Sequence, residues 1–402
     1  MAMQTPPISF DRPWITQIAW QVLQTTDAEI LSYGSSAIAY AGTGEDSRGL
    51  FLISGTAIVG PEQRDWSFVL KVFRALPDGS TSGESTPHYW KREELAYRSG
   101  LLDALPDGLA IPSCYCASET PDGALLLCLE HILPTLESPW PLSRLRLTAY
   151  HLGLFNGRYA AANPLPQHNW LSRDMTQTWA EENAYTVDLI ERFPMSEVPA
   201  LRMAFPTAIA TPWLRLWDHR SACFRTLVNL PRTLCHHDAG HRNLFDRVDP
   251  EGRQATVLID WELVGYGAIG EELGNLFGPA LINFEVPAEE ADVLFHTLLE
   301  GYIDGLQDAG WNGSQVEVRL AFLLSSLFRW GFAATGWPIA VATDESGKAE
   351  KQTRDQWGRP MEEVYSQWAG ISYYLSGFIA EVLGQLRADG TAERNAFGAG
   401  RI

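Results

Sequence analysis

The chain has 402 residues, 46% of them hydrophobic and 11% aromatic, so it can bury cores large enough for two lobes. Its formal net charge of −19 argues against nucleic acid as a partner, because binding to phosphate backbones needs a basic face. No apolar run approaches the roughly twenty residues that span a bilayer, no secretory signal is recognisable, and the five cysteines lack zinc or disulfide spacing, so we expect a cytoplasmic protein without a membrane partner.

The segments 1–12 and 388–402 have compositions typical of poorly ordered chain ends. The first element with possible chemistry is a turn expected at Gly34, which is followed by Ser35 and Ser36. Backbone N–H groups in a tight turn can cradle a phosphate group. Because the segment has one well-placed glycine rather than a G-x-G-x-x-G pattern, it is a degenerate candidate for phosphate binding.

A strand is predicted over Asp65–Phe73, with Lys71 as the single lysine in an apolar run. A charged side chain is seldom buried without a partner, so Lys71 needs an anion. The helix predicted next in the chain offers two carboxylates, Glu93 and Glu94, and a nucleotide phosphate would also serve. In the alternative interpretation, Lys71 protects an edge strand from aggregation and the two glutamates lie on a solvated helix face.

Two more strands are predicted within 110–117 and 124–132, and helical patterns dominate from residue 142 onward. Runs of strands followed by runs of helices are typical of the α+β class. We therefore expect a small lobe at 13–132, with an antiparallel sheet and one helix, and a larger, mainly helical lobe at 133–387. The charged, glycine-containing segment 341–354 is predicted to be a loop.

The most informative stretch has the pattern His-x-Asp-x-x-x-x-Asn, formed by His236, Asp238 and Asn243. A second aspartate, Asp260, follows an apolar strand about one hairpin later, which predicts that the two carboxylates lie close together. Phosphoryl transfer needs one carboxylate beside the attacking hydroxyl, and an amide oxygen and a second carboxylate on magnesium. The pattern predicts Asp238 as the catalytic group and Asn243 and Asp260 as magnesium ligands, while His236 orients the loop by hydrogen bonding.

Two other interpretations use the same residues. Metal-dependent phosphohydrolases also place histidine beside aspartate, but their ligands normally project from helices, whereas this pair lies between predicted strands. A catalytically silent kinase fold would bind nucleotide as a regulatory module. Such a module has no need of the full set of Lys71, Asp238, Asn243 and Asp260, so the enzyme is the favoured interpretation.

The spacing is close to the protein-kinase pattern H-R-D-x-x-x-x-N followed by D-F-G. Here His237 stands at the arginine position, and the later motif is Asp260-Trp261-Glu262. Both departures resemble the aminoglycoside phosphotransferase family, the kinase-like enzymes that phosphorylate small molecules. The resemblance is specific over 233–277 and moderate over 67–132.

This resemblance implies a two-lobed, protein-kinase-like α+β fold, with ATP and Mg²⁺ as cofactors and a small-molecule hydroxyl group as the acceptor. It implies that Lys71 clamps the α and β phosphates and that Glu93, four residues before a tyrosine, is its partner. It also implies nucleotide contacts by Gly34, Ser35 and Ser36 over the phosphates, and by the backbone of Glu130, His131 and Ile132 at the adenine.

The resemblance further implies that Glu272 braces the catalytic loop, at a position where the family has aspartate. The acceptor is less well defined. The acidic net charge favours a polyhydroxylated or amine-bearing acceptor, such as an aminoglycoside-like antibiotic or a related metabolite, because an acidic cleft would attract a cation. An apolar or aromatic acceptor is the alternative, and the aromatic candidates for its pocket are Trp330, Trp337, Trp368 and Tyr374, although such residues more often form a core.

Overall fold

The computed structural model describes residues 11–38, 48–136, 138–161, 164–248 and 251–386. The chain forms two compact units, each assembled from three stretches. The first comprises Met1–Thr135, Gln167–Ser172 and Phe245–Val264, and the second comprises Leu136–Pro166, Arg173–Leu244 and Gly265–Ile402. These units differ from the continuous lobes expected at 13–132 and 133–387, because two later stretches return to the first unit.

Strands dominate the early part of the chain and helices the later part, which confirms the predicted α+β class. The elements up to residue 130 are α1 (Arg12–Leu23), β1 (Glu29–Ala37), β2 (Arg48–Val59), β3 (Glu62–Phe73), α2 (Arg92–Arg98), β4 (Leu109–Ala110), β5 (Cys114–Glu119) and β6 (Leu125–Glu130). They are followed by α3 (Leu142–Ala161), β7 (Ser172–Arg173), α4 (Met175–Glu182), α5 (Tyr185–Arg192), α6 (Ala210–Asp218), α7 (Arg220–Asn229), β8 (Arg232–Cys235), β9 (Leu244–Val248), β10 (Gln254–Leu258) and β11 (Gly265–Ala268). The last are α8 (Glu272–Ile282), α9 (Ala291–Asp308), α10 (Gln315–Ser325), a π-helical turn (Ser326–Gly331), α11 (Phe332–Ala342), α12 (Lys348–Trp357) and α13 (Met361–Ser376).

The N-terminal helix α1 is a second helix in the first unit, where one was predicted. The Asp11 carboxylate accepts a hydrogen bond from the backbone N–H of Trp14 at 3.0 Å and so caps the first turn. A proline in that turn strengthens the start signal, so α1 was readable from the sequence. Of the ends predicted to be poorly ordered, residues 1–10 and 388–402 lie outside the described residues.

In the part of the chain that the structure describes, the first unit is built on an antiparallel sheet with the order β1-β2-β3-β6-β5. Successive side chains of a strand point to opposite faces. On β3, Phe68 and Leu70 are fully buried in a core that α1 also joins. Lys71 therefore lies on the other face, where Leu127 is its cross-strand neighbour and Tyr97 of α2 packs.

The strands predicted on either side of the His-x-Asp motif are present. Strand β8 ends at Cys235 and pairs antiparallel with β11, with Cys235 opposite Gly265. Strands β9 and β10 belong to a different sheet, with the order β4-β10-β9. As predicted, Asp238 lies on the connection that leaves β8, and Asp260 follows the end of β10.

In the second unit, β8 is held by α3, which packs closely against α9. A Cβ atom at Gly153 of α3 would lie 2.2 Å from the carbonyl oxygen of Tyr302, so this close approach requires glycine. The Asn156 side chain donates a hydrogen bond to the carbonyl of Leu234 at 2.6 Å, and the Thr233 hydroxyl donates to the carbonyl of Asn156 at 2.6 Å. The strand that leads into the motif is thus fixed on a buried helix.

The loop predicted at 341–354 is largely helical. α11 continues to Ala342, and α12 begins at Lys348. α12 has no buried residue and carries ion pairs between positions i and i+4, such as Arg354 with Glu350. The polar composition of this segment is the reason that a loop was predicted.

No helix among the described residues is long and apolar enough to cross a membrane.

Candidate active site

Lys71 and two carboxylates form a buried cluster within the first unit. The Lys71 Nζ atom donates hydrogen bonds to Glu93 Oε1 at 2.7 Å and Oε2 at 2.8 Å, and to Asp260 Oδ1 at 3.0 Å. The three side chains are 13%, 1% and 10% exposed, respectively. The predicted contact between Lys71 and Glu93 is therefore present, and Asp260 joins it. We call these three residues the Lys71 cluster.

The charges of the Lys71 cluster do not cancel. Burial by itself would lower the pKa of Lys71, but the Asp260 and Glu93 carboxylates outweigh it and raise the pKa, so the ammonium stays charged. The formal charges of the three side chains sum to −1, and both Glu93 and Asp260 have further interactions besides those with Lys71.

The backbone at Asp260 is held in an unusual conformation. Its φ of 65° and ψ of 61° lie in the left-handed region, which is uncommon for residues other than glycine. The short helical turn Trp261–Leu263 follows, with the Trp261 ring fully buried and its Nε1 donating to the Leu258 carbonyl at 3.2 Å. Backbone strain of this kind persists where surrounding packing fixes it, often at functional sites.

Arg92, the first residue of α2, fixes the helix that carries Glu93. Its side chain is completely buried, and the guanidinium donates to four carbonyl oxygens. These belong to Trp170 at 2.6 Å, Pro87 at 2.6 Å, Glu262 at 2.8 Å and Thr86 at 2.6 Å. Arg92 thus joins α2 to the turn after Asp260. No local pattern in the sequence distinguishes it from an exposed helical arginine.

The Arg92→Met variant is expected to be less stable by about 3 kcal/mol or more, because several buried carbonyls lose a charged donor. The control is Arg64→Met on β3. Arg64 and its partner Glu62 are both exposed, so the loss of this pair is expected to change stability little. Urea unfolding gives the free energy of unfolding for both variants. Equal values would contradict the role assigned to Arg92.

The predicted hinge residues lie at the end of β6, and the protein already uses part of their hydrogen-bonding capacity. The Glu130 backbone N–H donates to the Ser113 carbonyl at 2.9 Å, and the Glu130 carboxylate accepts from Ser113 N–H at 3.0 Å and from Arg247. His131 Nδ1 lies 3.0 Å from the Ser67 hydroxyl. The Glu130 N–H is therefore engaged before any ligand binds.

The tight turn predicted at Gly34–Ser36 is wrong. Gly34, Ser35 and Ser36 lie within β1, where they pair with Ser54, Ile53 and Leu52 of β2. Backbone pairing with β2 extends through Gly34, Ser35 and Ser36 and ends at Ala37, which lies opposite Phe51. The connection between β1 and β2, residues 39–47, lies outside the described residues.

In the second unit, the Asp238 carboxylate is fixed on both oxygens. Oδ2 accepts a hydrogen bond from Asn243 Nδ2 at 2.8 Å, and Oδ1 accepts from Arg329 Nη2 at 2.9 Å. The same Asn243 amide also donates to the Asp238 carbonyl at 2.9 Å. The Asp238 side chain remains 31% exposed. The structure thus brings the predicted pair Asp238 and Asn243 together and leaves the carboxylate accessible.

The loop before Asp238 is braced from within, as predicted. The Asp238 N–H donates to His236 Nδ1 at 3.2 Å, which confirms that His236 orients the loop. The Glu272 carboxylate, at the start of α8, accepts from the N–H groups of His236 at 2.6 Å and His237 at 3.1 Å. The expected brace by Glu272 is therefore confirmed. Glutamate satisfies loop donors that would otherwise be buried without acceptors.

Burial raises the pKa of Glu272 from 4.5 to about 7, although the bonds from His236 and His237 oppose the shift. Between about pH 4.5 and about pH 7, Glu272 is protonated in the folded chain and deprotonated in the unfolded chain. This contribution to stability is present below about pH 4.5 and is lost as the pH rises through about 7. The Glu272→Gln variant is therefore expected to lose less stability than the wild type between about pH 5 and about pH 8. Urea unfolding at both pH values measures this, and identical pH dependence would contradict it.

His237, at the position of the kinase arginine, is a packing residue. Its backbone has a φ of 68°, and its side chain is completely buried. Burial lowers its pKa to about 3, so the ring is neutral near pH 7. A Cβ atom on Gly267 would lie 2.9 Å from its Cε1 atom, so glycine at 267 gives the ring its space.

Arg329 is the site residue that sequence reasoning missed. Besides Asp238, its guanidinium donates to the Asn275 side-chain oxygen at 2.6 Å and to the His237 carbonyl at 3.1 Å. It also lies 3.4 Å from the centre of the Trp179 ring. Burial lowers the pKa of Arg329, and the Asp238 carboxylate opposes that shift. A signal was available, since Arg329 is a single charge in an apolar run, as Lys71 is in β3.

A π-helical turn, Ser326–Gly331, presents Arg329 to the loop. Such turns are rare and frequently occur at functional sites. The turn approaches α8 closely, because a Cβ atom at Gly274 would lie 2.1 Å from the Ser325 hydroxyl and one at Gly278 would lie 2.1 Å from Trp330 Cγ. The two glycines therefore allow the contact between Arg329 and Asn275.

Asp238 and Asn243 line a cavity of 380 Å³ within the second unit, which we call the Asp238 cavity. This volume lies in the range of sites for small molecules. Four tryptophans line it, namely Trp330, Trp337, Trp357 and Trp368. Three of them were among the predicted aromatic candidates. The fourth candidate, Tyr374, instead packs against Phe277 with ring centres 6.1 Å apart.

Comparisons with known proteins give matches of very different strength. No curated protein matches the sequence. Among the solved structures that match, amicoumacin kinase hAmiN has 13% identity and a TM-score of 0.47, and the match covers 87% of this chain and 94% of that one. An aminoglycoside phosphotransferase from Alicyclobacillus acidocaldarius has 13% identity and a TM-score of 0.47, with 96% and 98% covered. An ethanolamine kinase from Plasmodium vivax has 13% identity and a TM-score of 0.41, with 81% and 82% covered.

The model of the phosphotransferase enzyme family matches residues 140–311. The matched range contains Asp238, Asn243, Asp260 and Glu272, whereas Lys71 and Arg329 lie outside it. The resemblance inferred from the sequence is thereby confirmed: over residues 140–311, this chain matches the phosphotransferase enzyme family.

Proposed function

We propose that this protein transfers the γ-phosphoryl group of ATP, in the presence of magnesium, to a hydroxyl group of a small molecule. The observation that carries the proposal is the Lys71 cluster, in which Lys71 is held by Glu93 at 2.7 Å and by Asp260 at 3.0 Å. A lysine paired with a helix glutamate, together with an aspartate for magnesium, is the set that kinases use around nucleotide phosphates.

In the proposed reaction, the acceptor hydroxyl oxygen forms a bond to the γ-phosphorus. The bond between that phosphorus and the β,γ-bridging oxygen breaks, and ADP leaves with the electron pair. The hydroxyl proton passes to the Asp238 carboxylate and then to water. Because Asn243 and Arg329 fix both carboxylate oxygens, Asp238 is oriented before the acceptor binds. Arg329 is thus a positioning residue.

Asn243 and Asp260 are the residues we assign to magnesium. Both Asn243 contacts to Asp238 use the amide nitrogen, and the structure describes no hydrogen bond to the amide oxygen. Carboxylate and amide oxygens suit this hard cation, which takes few protein ligands beside phosphates. Each residue therefore offers an oxygen that suits the ion, which when bound would neutralise charge on the phosphates.

The remaining nucleotide contacts are also proposals. Lys71 clamps the α and β phosphates, and Glu93 holds its ammonium in place. At the adenine, His131 and Ile132 are better backbone candidates than the Glu130 N–H, which Ser113 already binds. Gly34, Ser35 and Ser36 would act from a strand rather than from a turn, as extended backbone beside the phosphates.

The phosphohydrolase alternative is not favoured by the geometry. His236 uses Nδ1 to accept from the Asp238 N–H, and His237 is a buried packing residue. In the described ranges, no three His, Cys, Asp or Glu side chains are grouped as metal ligands. The histidine–aspartate pair thus lacks the arrangement that such hydrolases need.

The test measures ADP formation with ATP, magnesium and a panel of hydroxylated compounds, and identifies the phosphorylated product by mass spectrometry. We expect acceptor-dependent ADP formation that the Lys71→Met variant weakens mainly through a higher KM for ATP. ATP binding without transfer to any acceptor would favour the silent module. Phosphate release from 4-nitrophenyl phosphate without ATP would favour the phosphohydrolase.

A further inference from the structure

The Asp238 cavity indicates which acceptor this site takes, and this inference rests on the proposed function. The cavity includes the proposed catalytic carboxylate, so an acceptor bound there would present its hydroxyl to Asp238. All of its lining residues belong to the second unit. The charge and shape of the cavity are therefore properties of the second unit alone.

The described lining of the Asp238 cavity has more basic than acidic residues, whereas the chain as a whole is acidic. The chain carries a formal net charge of −19. Among the described residues that line the cavity, Asp238 is the one acidic residue, and Arg242 and Arg329 are basic. Because Asp238 is already ion-paired with Arg329, Arg242 is left as the charge facing a ligand. Among the described lining residues, an amine-bearing acceptor would find no carboxylate that lacks an arginine partner.

A nearby carboxyl group does not change this balance. Glu285 is only 4% exposed, and its Oε1 lies 3.5 Å from Nδ1 of the cavity residue His241. Burial raises the pKa of Glu285 to about 8, so it is largely protonated near pH 7. Glu285 therefore adds little negative charge to this side of the cavity.

The apolar walls are held in place before any ligand binds. Trp330 packs on the backbone of α8 at Gly278, where a Cβ atom would lie 2.1 Å from the indole. Trp337 donates from Nε1 to the Tyr185 hydroxyl at 3.1 Å and meets Trp368 edge to face, with ring centres 6.2 Å apart. Rigid aromatic faces lose little conformational entropy on binding and favour flat, apolar ligands.

Aromatic walls can also attract cations, so quaternary ammonium compounds need separate consideration. Here the Arg329 guanidinium already lies 4.7 Å from the centre of the Trp330 ring, as well as on Trp179. Arg242 adds a second positive charge to the lining. A cationic ligand would be repelled by Arg242, and the aromatic face of Trp330 is partly occupied by Arg329.

We propose that the acceptor is a hydroxylated compound with a large aromatic or polycyclic face and no basic nitrogen, either uncharged or anionic near Arg242. This replaces the aminoglycoside-like acceptor expected from the net charge. The net charge averages over the whole surface, whereas a ligand responds to the few groups that line its own cavity.

The test compares binding of naringin and hydrocortisone, which are polycyclic and lack basic nitrogen, with binding of kanamycin and choline. Tryptophan fluorescence and melting temperature of the intact protein report binding without turnover. We expect saturable binding of at least one polycyclic compound and none of kanamycin or choline. Tighter binding of either cation, or no binding by any of the four, overturns the proposal.

Two substitutions test whether the polycyclic compound binds in the Asp238 cavity. Trp337→Ala is expected to weaken polycyclic binding at least about tenfold, by the loss of one aromatic wall. Arg242 is exposed, so Arg242→Glu alters charge without disturbing the core, and it is expected to create measurable binding of kanamycin. The controls are Trp217→Phe and Arg192→Glu, which lie in the same unit outside the cavity lining. Polycyclic binding that neither Trp337→Ala nor Arg242→Glu changes overturns the assignment.

The outcome separates this inference from the proposed function. Binding of a polycyclic compound without ADP formation leaves the acceptor class standing and removes the transfer reaction. Phosphorylation of kanamycin would establish the transfer reaction and show that the proposed acceptor class is wrong.

Discussion

Replacing Asp238 with asparagine is expected to lower kcat by about two to four orders of magnitude, with a smaller effect on KM for the acceptor. The amide cannot take the hydroxyl proton in the transition state, yet it retains the size of the carboxylate and an oxygen for Arg329. The acceptor should therefore still bind in the Asp238 cavity. Initial rates of ADP formation at saturating ATP give both kinetic constants.

Asparagine is the better substitution at this position because alanine would leave the Arg329 guanidinium buried beside an empty space. Both substitutions remove the charge that pairs with Arg329, but alanine also removes its hydrogen-bond acceptor, so Asp238→Ala is expected to lose more stability than Asp238→Asn. Asp218→Asn, at the exposed end of α6, is the matched control and is expected to keep the wild-type kcat. A kcat near the wild-type value in Asp238→Asn would remove the central mechanistic claim.

The second large effect is expected for Asp260→Asn, with a loss of about two or more orders of magnitude in kcat. This substitution changes the formal charge of the Lys71 cluster from −1 to zero and removes the carboxylate that we assign to magnesium. The variant should therefore need a higher magnesium concentration for half-maximal activity. Titrating magnesium at fixed ATP measures that shift separately from kcat.

Asp65→Asn on β3 is the control for Asp260→Asn, because Asp65 is exposed at the other end of the strand that carries Lys71. It is expected to match the wild type in kcat and in magnesium dependence. If Asp260→Asn lost activity with an unchanged magnesium requirement, its role would lie in holding Lys71 rather than the metal. Full activity in that variant would argue against both roles.

Much of the site follows from short-range sequence patterns. The spacing from His236 to Asn243 determines a loop in which Asn243 reaches back to Asp238, because residues five apart cannot separate far in a tight connection. Lys71 could be identified as a buried charge because it is the single lysine in an apolar run, and such a run is a local pattern. The α+β class likewise follows from the order of strand and helix patterns.

Turns and helix ends were less predictable from the same patterns. Gly34–Ser36 looked like a turn, but pairing with β2 extends β1 through it. The segment 341–354 looked like a loop because α12 is polar on all sides, and side-chain pairs such as Arg354 with Glu350 stabilise it. In both cases, contacts with other parts of the structure or along the helix outweighed composition.

What the tertiary structure alone decided are the contacts between residues far apart in the chain. Arg329 reaches Asp238 across 91 positions, through a π-helical turn that no residue pattern marks. The four tryptophans of the Asp238 cavity come from four elements, namely the π-helical turn, α11, α12 and α13, and their grouping depends on how these elements pack. The sequence by itself thus determined the arrangement of the loop from His236 to Asn243, since that depends on local spacing. The charge and shape of the Asp238 cavity depend on which distant side chains line it, and only the packed structure determines that.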